Sequence, residues 1–556
     1  MSDNRTERTE RTERTELTER AGGPARETEV LIVGGGPVGL ALALDLAHRG
    51  VDFVLAEAGD GRVAHPKVST VGPRAMEAFR RWGVADAIRD AGWPRDHTLD
   101  VAWVTAVGEH ELHRLRLGTA GGRPLPSYTP EPEAVCPQHW LTPLLTARVG
   151  AGPAGPMRLG TRLVGLIQRP DRVSAALVDD AGVRRDVHAR FLVGCDGASS
   201  AVRKACGIEM PERHRTRSLR NILFRAPGLA ARLGPRAALV HFLTDPTGLR
   251  YPLRAIDGRD LYRLTCPAGP AEAARVVRRA VAVDVPVEVV SDGIWHLTHR
   301  VASRYRDGRV FLAGDAAHTL SPSGGLGLAT GVGDAADLGW KLAAELSGWA
   351  GAGLLGTYED ERRPVAVRSL EESHRNLRRT VDRRLRAALR DGTPEGERAR
   401  AELAREIADS EPLREFDAPE LHFAYRYASP AVADEKEGPP GDATAGVEGP
   451  AWNRTTRPGV RAPHAWLGAG RSTLDLFGDG FVLLAFGDAG VPEGLVRAFA
   501  ERRVPLRVRR CHDPEVARRY ERPLVLVRPD GHVAWRGTSA PVEPLRVADL
   551  VRGAGR

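Results

Sequence analysis

Glu29-Val30-Leu31-Ile32-Val33-Gly34-Gly35-Gly36-Pro37-Val38-Gly39-Leu40 is an apolar run that breaks on three glycines and resumes at helical spacing. Four consecutive apolar residues suit a strand buried on both faces. Leu40, Leu44 and Ala47 then recur at the period of a helix over Pro37–Arg49, and a second strand, Val51–Glu57, follows directly. The turn between strand and helix reads Gly34-x-Gly36-x-x-Gly39. In such a turn the first glycine allows the tight bend, the second lets the backbone approach a pyrophosphate, and the third lets helix and strand pack closely. Pro37 and Val38 open the helix, where free N–H groups and the helix dipole favour an anion. Glu57 ends the second strand and can accept hydrogen bonds from both hydroxyls of a ribose. A glycine-rich turn that served packing alone would leave Glu57 without a task, so the segment predicts a bound dinucleotide.

Outward from this opening, Phe191-Leu192-Val193-Gly194 and Val310-Phe311-Leu312-Ala313 are two further short apolar strands, and each leads into Gly and Asp. Between them, over about 211–297, the pattern changes. Ala238–Leu243, Leu249–Leu253 and Leu261–Cys266 read as antiparallel strands of an inserted sheet. A helix is expected over Ala335–Leu346. A longer one is expected over Glu361–Ile407, with Leu370, Leu377, Val381, Leu385 and Leu389 on one face. Residues 428–451 are rich in Pro, Gly and Ala and read as a linker. The tail beyond has strand-like runs at Phe481–Phe486, Leu506–Val508 and Leu524–Val527, with Pro529-Asp530-Gly531 as a tight turn.

The bulk numbers exclude several classes of function. The chain has 556 residues with 42% apolar content, enough for two or three domains with cores of their own. The net charge is +8, but arginine is dispersed and only Lys67, Lys204, Lys341 and Lys436 are lysines. No basic patch with interleaved aromatics points to nucleic acid. Residues 5–16 repeat Arg-Thr-Glu four times, which predicts a solvated tail over 1–27. The most apolar stretch, Leu31–Ala47, holds glycines, Pro37 and Asp45 and is no membrane span. Five cysteines without CxxC spacing argue against a disulfide framework and fit a reducing cytoplasm. No metal-ligand spacing is present.

Two more motifs complete the set: Gly194-Cys195-Asp196-Gly197-Ala198-Ser199-Ser200, continuing to Arg203, and Gly314-Asp315-Ala316-Ala317-His318, continuing through Pro322-x-Gly324-Gly325-x-Gly327 to Asp334. With the first motif these resemble the class A FAD-dependent aromatic monooxygenases of the para-hydroxybenzoate hydroxylase fold, over about residues 28–410. The last hundred residues resemble the thioredoxin-like extension of the aromatic polyketide hydroxylases, on Arg457-Pro458-Gly459, Leu474-Asp475-Leu476-Phe477-Gly478 and Leu526–Arg536.

The resemblance implies an α/β fold. Its FAD-binding Rossmann-like domain, with a helical extension, would span 28–210 and 298–410. The substrate sheet would be 211–297, and the thioredoxin-like domain 452–556. It implies FAD as cofactor and NAD(P)H and O2 as co-substrates. The substrate would be aromatic, a polycyclic polyketide in antibiotic or pigment biosynthesis. Hydroxylation of simple phenols in aromatic catabolism, or a non-catalytic flavin-binding role, are the alternatives. A flavin-dependent halogenase would carry Trp-x-Trp-x-Ile, which is missing here.

The cofactor contacts implied are Gly34, Gly36, Pro37, Val38, Gly39, Glu57, Lys67, Gln138, Asp196, Asp315, Gly325, Gly327 and Leu328. In this pattern Asp315 holds the ribityl chain, Asp196 lies near the pyrophosphate, and Lys67 and Gln138 lie near the flavin. Pro322 would edge the substrate cavity. Arg203 would support the Asp196 loop, and His318 would be structural. No catalytic base is assigned. Relatives often place asparagine where this chain has Ala329. Cys511 is the tail's one cysteine, so dithiol chemistry is out of reach there and a structural or dimer-contact role is expected of the tail.

Overall fold

The computed structural model describes residues 25–555 apart from 68, 151–156, 247, 436–449 and 469. Residues 1–24 of the expected tail over 1–27 and most of the expected linker lie outside the described residues, while Arg26 and Glu27 already belong to the first strand, Arg26–Val33. The fold is mixed α/β with three main sheets.

The first sheet carries the motifs. Its order is Arg306–Asp307, Val310–Leu312, Arg184–Gly194, Arg26–Val33, Phe53–Ala56, Met157–Arg158, and Val173–Asp179 and Thr161–Gln168 extend it as an antiparallel flap. The strands from Val310–Leu312 through Met157–Arg158 run parallel. Their all-apolar centres are sealed on both faces: Val30, Leu31, Ile32, Phe53, Val54, Leu55, Leu192 and Val193 are fully buried, as parallel strands require. Register sets the site. Val33 pairs with Gly194 on one side and Ala56 on the other, and Gly194 pairs with Leu312. Four carboxyl ends therefore stop at one level, which is where ligands sit in open α/β sheets.

The second sheet has eight strands, ordered His318–Thr319, Glu288–Val301, Glu212–Arg225, Leu261–Pro267, Pro252–Ala255, Val240–Leu243, Val101–Val104, Glu111–Leu115. Two of the inserted strands appear close to where the sequence places them, at Val240–Leu243 and Leu261–Pro267, and the one expected over Leu249–Leu253 lies later, at Pro252–Ala255. The sheet is wider than 211–297, however, because the pair over 101–115 joins one edge and His318–Thr319 the other. Trp103 and Phe242 stack at 5.3 Å across that edge, so aromatic packing recruits the earlier pair.

Two helical expectations change. The helix expected from Ala335 begins at Leu326 and runs to Leu346, with Gly325 as its left-handed N-cap. The expected helix over Glu361–Ile407 is two, Thr357–Val381 and Pro394–Asp409. Thr393 caps the second, its Oγ1 accepting from the Gly396 N–H at 3.2 Å, with Pro394 next. That start signal outweighs the apolar period that continued through Leu385.

The C-terminal unit is a four-stranded sheet, Leu506–Cys511, Phe481–Phe486, Leu524–Val527, Val533–Gly537, with Glu493–Glu501, Pro514–Tyr520 and Pro544–Val551 as its helices. Ala431 and Val432, at the start of the expected linker, are buried, and the Ala433 N–H donates to Ala534. Those residues belong to packed structure. Among the described residues no helix is long and apolar enough to cross a membrane.

Candidate cofactor and substrate site

At the level where the four strands stop, the motif glycines divide by what surrounds them. A Cβ on Gly34 would lie 2.4 Å from the Cys195 carbonyl oxygen, and one on Gly39 would lie 1.9 Å from that of Gly34. Gly34 also has φ +110, so both positions require glycine for packing. Gly36, Gly325 and Gly327 are the opposite: a Cβ on any of them would meet nothing within 4 Å. Their backbone faces open space at the start of a helix, as a cradle for a bound group must. Pro37 is the first residue of its helix. Val38 instead packs into the gap left by two glycines, since a Cβ on Gly314 or Gly331 would strike its side chain at 2.9 and 2.5 Å. Gly35, passed over in the sequence reading, donates its N–H to Glu57 Oε2 at 2.5 Å, and Gly59 donates to Oε1 at 2.7 Å. Glu57 is thereby aimed at the turn.

Asp196 accepts from Ser200 Oγ at 2.5 Å and from the N–H groups of Ala201 and Val202 at 2.7 and 3.1 Å. Its side chain caps the short helix Ala201–Ala205, so its contribution at the turn is to shape the loop. Arg203 ties that loop to the third motif, donating to the carbonyls of Ala198 at 2.9 Å and Ala316 at 3.0 Å.

Asp315 stands just past the end of Val310–Leu312, and its carboxylate takes no hydrogen bond from the described residues. Solvent reaches it, yet protein packs closely enough around it that desolvation raises its pKa, while His318 and Lys67 act in the other direction. Lys67 is exposed, and its backbone N–H donates to Gln138 Oε1 at 3.0 Å, so these two join in one strap near Asp315. Pro322 is exposed and accepts from the Gly325 N–H at 3.0 Å, at the mouth of the loop. Leu328 is buried in the first core, leaving its backbone to the helix start.

Beneath Asp315 lies a hub that sequence reasoning left without a role. Asp334 accepts from Gly314 N–H at 3.1 Å, pairs with His318 Nε2 at 2.7 Å and receives Arg362 Nε at 2.9 Å. All four are buried. Burial alone would raise the Asp334 pKa, but His318 and Arg362 outweigh it and hold it low. Arg362 continues to the Thr330 carbonyl and the Tyr427 hydroxyl, at 2.8 and 2.9 Å.

Across from the glycine loop, the second sheet presents two arginines. Arg263 donates to the Pro66 carbonyl at 2.5 Å and that of Lys67 at 3.2 Å; Arg254 donates to Thr70 Oγ1 at 2.7 Å. Burial pushes both pKa values down to about 10. Glu415 lies beside them, close to Gly324. Burial raises its pKa to about 7 against the pull of Arg379, Arg383, Arg254 and the Gly324 N–H. Neither arginine nor Glu415 falls in a local motif, and strand register alone brings the arginines together. Among the described residues no group of His, Cys, Asp and Glu is arranged to hold a metal ion.

Comparison with known proteins follows the same division of the chain. Residues 27–373 match the family model described as FAD binding domain, and residues 455–553 match that of the aromatic-ring hydroxylase C-terminal domain. Aklavinone 12-hydroxylase RdmE of Streptomyces purpurascens is 34% identical over 563 residues, covering 94% of this chain and 98% of that protein. The structure of RebC soaked with chromopyrrolic acid, with bound 7-carboxy-K252c, is 58% identical with a TM-score of 0.91, covering 96% of this chain and 100% of that one. A ternary complex of aklavinone-11 hydroxylase with FAD and aklavinone is 30% identical with a TM-score of 0.79, covering 95% of this chain and 99% of that one.

Proposed function

The chain belongs to the FAD-dependent aromatic-ring monooxygenases, and from that premise we propose that it hydroxylates a large, flat polycyclic aromatic substrate bearing an acidic group. NAD(P)H and O2 are the co-substrates, and the setting is antibiotic or pigment biosynthesis in the cytoplasm. The observation that carries the substrate reading is the Arg254–Arg263 pair, turned toward the Lys67 strap without a carboxylate partner among the described residues. Two guanidinium forks with no carboxylate in direct ion-pair contact suit a carboxylate on the ligand. RdmE is named for aklavinone, and RebC holds a ligand with a carboxy group in its name. The second reading, simple phenols, leaves that pair idle.

Bound FAD supplies the oxygen activation that amino-acid side chains lack. The protein's own residues bind and orient. Glu57 receives the adenosine ribose. Gly36 and the helix start at Pro37 receive the pyrophosphate, and Asp315 accepts from the ribityl chain. The backbone at Gly325, Gly327 and Leu328 meets the ring edge, where the positive end of Leu326–Leu346 favours negative charge. The Lys67–Gln138 strap closes the ring side, and Pro322 borders the substrate. Apart from 101–115 and His318–Thr319, whose strands join the second sheet, the sheet orders support the reading of residues 28–210 and 298–410 as a Rossmann-like FAD domain, and of 452–556 as a thioredoxin-like domain suited to a dimer contact.

The test is turnover by the purified holoenzyme with aklavinone, with 7-carboxy-K252c and with simple phenols, reading NAD(P)H consumed, product formed and peroxide released. A polycyclic acid should couple consumption to product. A loosely held phenol should release peroxide instead. Tight coupling on phenols, with neither polycyclic ligand binding, would overturn the substrate reading.

A further inference from the structure

The helix Pro73–Arg81 and the C-terminal unit meet along a seam that encloses a cavity of about 260 Å³. None of its lining residues belongs to the glycine motifs or to the arginine pair. Its walls hold four arginines, Arg74, Arg80, Arg81 and Arg507, with His48, against Glu77, Asp475 and Asp479.

The carboxylates are already engaged. Asp475 takes Nε and Nη2 of Arg80 at 2.7 and 2.9 Å, and the remaining Nη1 donates to Glu131 at 2.9 Å, so Arg80 is fully engaged. Asp479 pairs with Arg507 at 2.8 Å at the open mouth, and with His48 at 3.3 Å. Glu77 serves two cations, Arg74 at 3.0 Å and the buried Arg461 with Nε at 2.9 Å. Arg81 is left over. Among the described residues it has no ion pair: its hydrogen bond runs to the Asp530 carbonyl at 3.3 Å, and its Nε is sealed from solvent without a partner. Desolvation and the neighbouring Arg74 charge lower its pKa to about 10 against the opposing pull of Asp45 and Asp530, so it stays cationic at neutral pH. A largely desolvated cation with no directly paired anion is costly. The volume is slightly under the ~300–1,000 Å³ of typical organic-ligand pockets, so the missing anion is small.

We propose that this seam is a binding site for a phosphate dianion, either inorganic phosphate or the phosphate of a small monoester, held by Arg81 with Arg74 in the positive field of Arg80 and Arg507. Several oxygens on one compact centre match several guanidinium donors at once. A filled site joins the FAD domain to the C-terminal unit through shared charge.

The experiment titrates inorganic phosphate into the holoenzyme at fixed ionic strength against chloride, by calorimetry and thermal unfolding, with flavin absorbance confirming full occupancy. Saturable binding near one per chain, with a melting temperature that climbs with phosphate, is expected. Arg81→Met should weaken binding at least tenfold, and Arg507→Gln at the mouth should weaken it less. If Arg81→Met does not fold, Arg81→Lys keeps the charge, loses the fork and should still weaken binding. Glycerol phosphate separates the sources: tighter binding than inorganic phosphate assigns a metabolite, equal binding assigns the free ion. A phosphate response no different from chloride, or binding that survives the Arg81 substitutions, overturns the site.

Discussion

Arg254 and Arg263 stand directly opposite each other on adjacent antiparallel strands, Pro252–Ala255 and Leu261–Pro267, and neither meets a carboxylate within ion-pair distance among the described residues. Like charges in that position destabilise a sheet. The arrangement therefore makes sense where a ligand supplies the counter-charge. Arg254→Gln and Arg263→Gln should each weaken a carboxylate-bearing polycyclic by about 10–100-fold, since a hydrogen bond to a charged group contributes roughly 1.5–3 kcal/mol. Binding of a neutral polycyclic should change little. Fluorescence titration measures both, and equal losses for both ligands would place the arginines in folding alone. Without ligand, Arg254→Gln should melt no lower than the parent protein.

Asp315 offers an open carboxylate at the end of the third motif strand. Asp315→Asn keeps its shape and removes its charge. FAD affinity should fall about 10–100-fold on the same hydrogen-bond scale, while far-ultraviolet circular dichroism stays unchanged. Flavin fluorescence of the dialysate would measure it. Full retention would move the ribityl contact elsewhere.

Asp334 acts one layer below. Replacing it by Asn leaves Arg362 charged and buried with no carboxylate, a change that typically costs about 3–5 kcal/mol. A large fall in melting temperature is expected, together with weaker FAD retention as the Gly314 turn loosens. Arg362→Met with Asp334→Asn should recover part of the stability, because both charges are then gone. A double variant no more stable than Asp334→Asn would argue against charge burial as the cause.

The part of the site legible in the sequence is the part written locally. Gly34, Gly36, Gly39 and Glu57 lie within one strand–helix–strand unit, and Asp196 and Asp315 each follow the strand that presents them, so periodicity and turn chemistry suffice. The arginine pair escaped because a nine-residue separation becomes a contact only through antiparallel register. Glu415 escaped because it ends a single short turn, Pro412–Glu415, whose surroundings come from distant parts of the chain. The early start at Leu326 was hidden by Gly325 and Gly327, which read as loop although only Gly325, at φ +65, needs to be glycine for its backbone. Ala329 stays ambiguous in sequence terms, whereas in the fold it is buried beside Gly72.

Glu415 gives a prediction with a sign. Burial raises its pKa from 4.5 to about 7 despite Arg379, Arg383 and Arg254 around it. Below pH 4.5 both folded and unfolded chains hold the proton, and the group has no effect on stability. Between about 4.5 and 7 the unfolded chain has lost the proton that the folded chain keeps, so stability falls as pH rises. Above about 7 the penalty is complete, on the order of 1–3 kcal/mol. Glu415→Gln should therefore match the parent protein near pH 4 and melt higher than it at pH 8. The same proton governs the ligand. A carboxylate held by Arg254 meets a neutral Glu415 at pH 6 and a negative one at pH 8.5, so its Kd should rise across that interval and flatten in Glu415→Gln. A parent protein whose carboxylate affinity is constant from pH 6 to 8.5 would separate Glu415 from the substrate pocket.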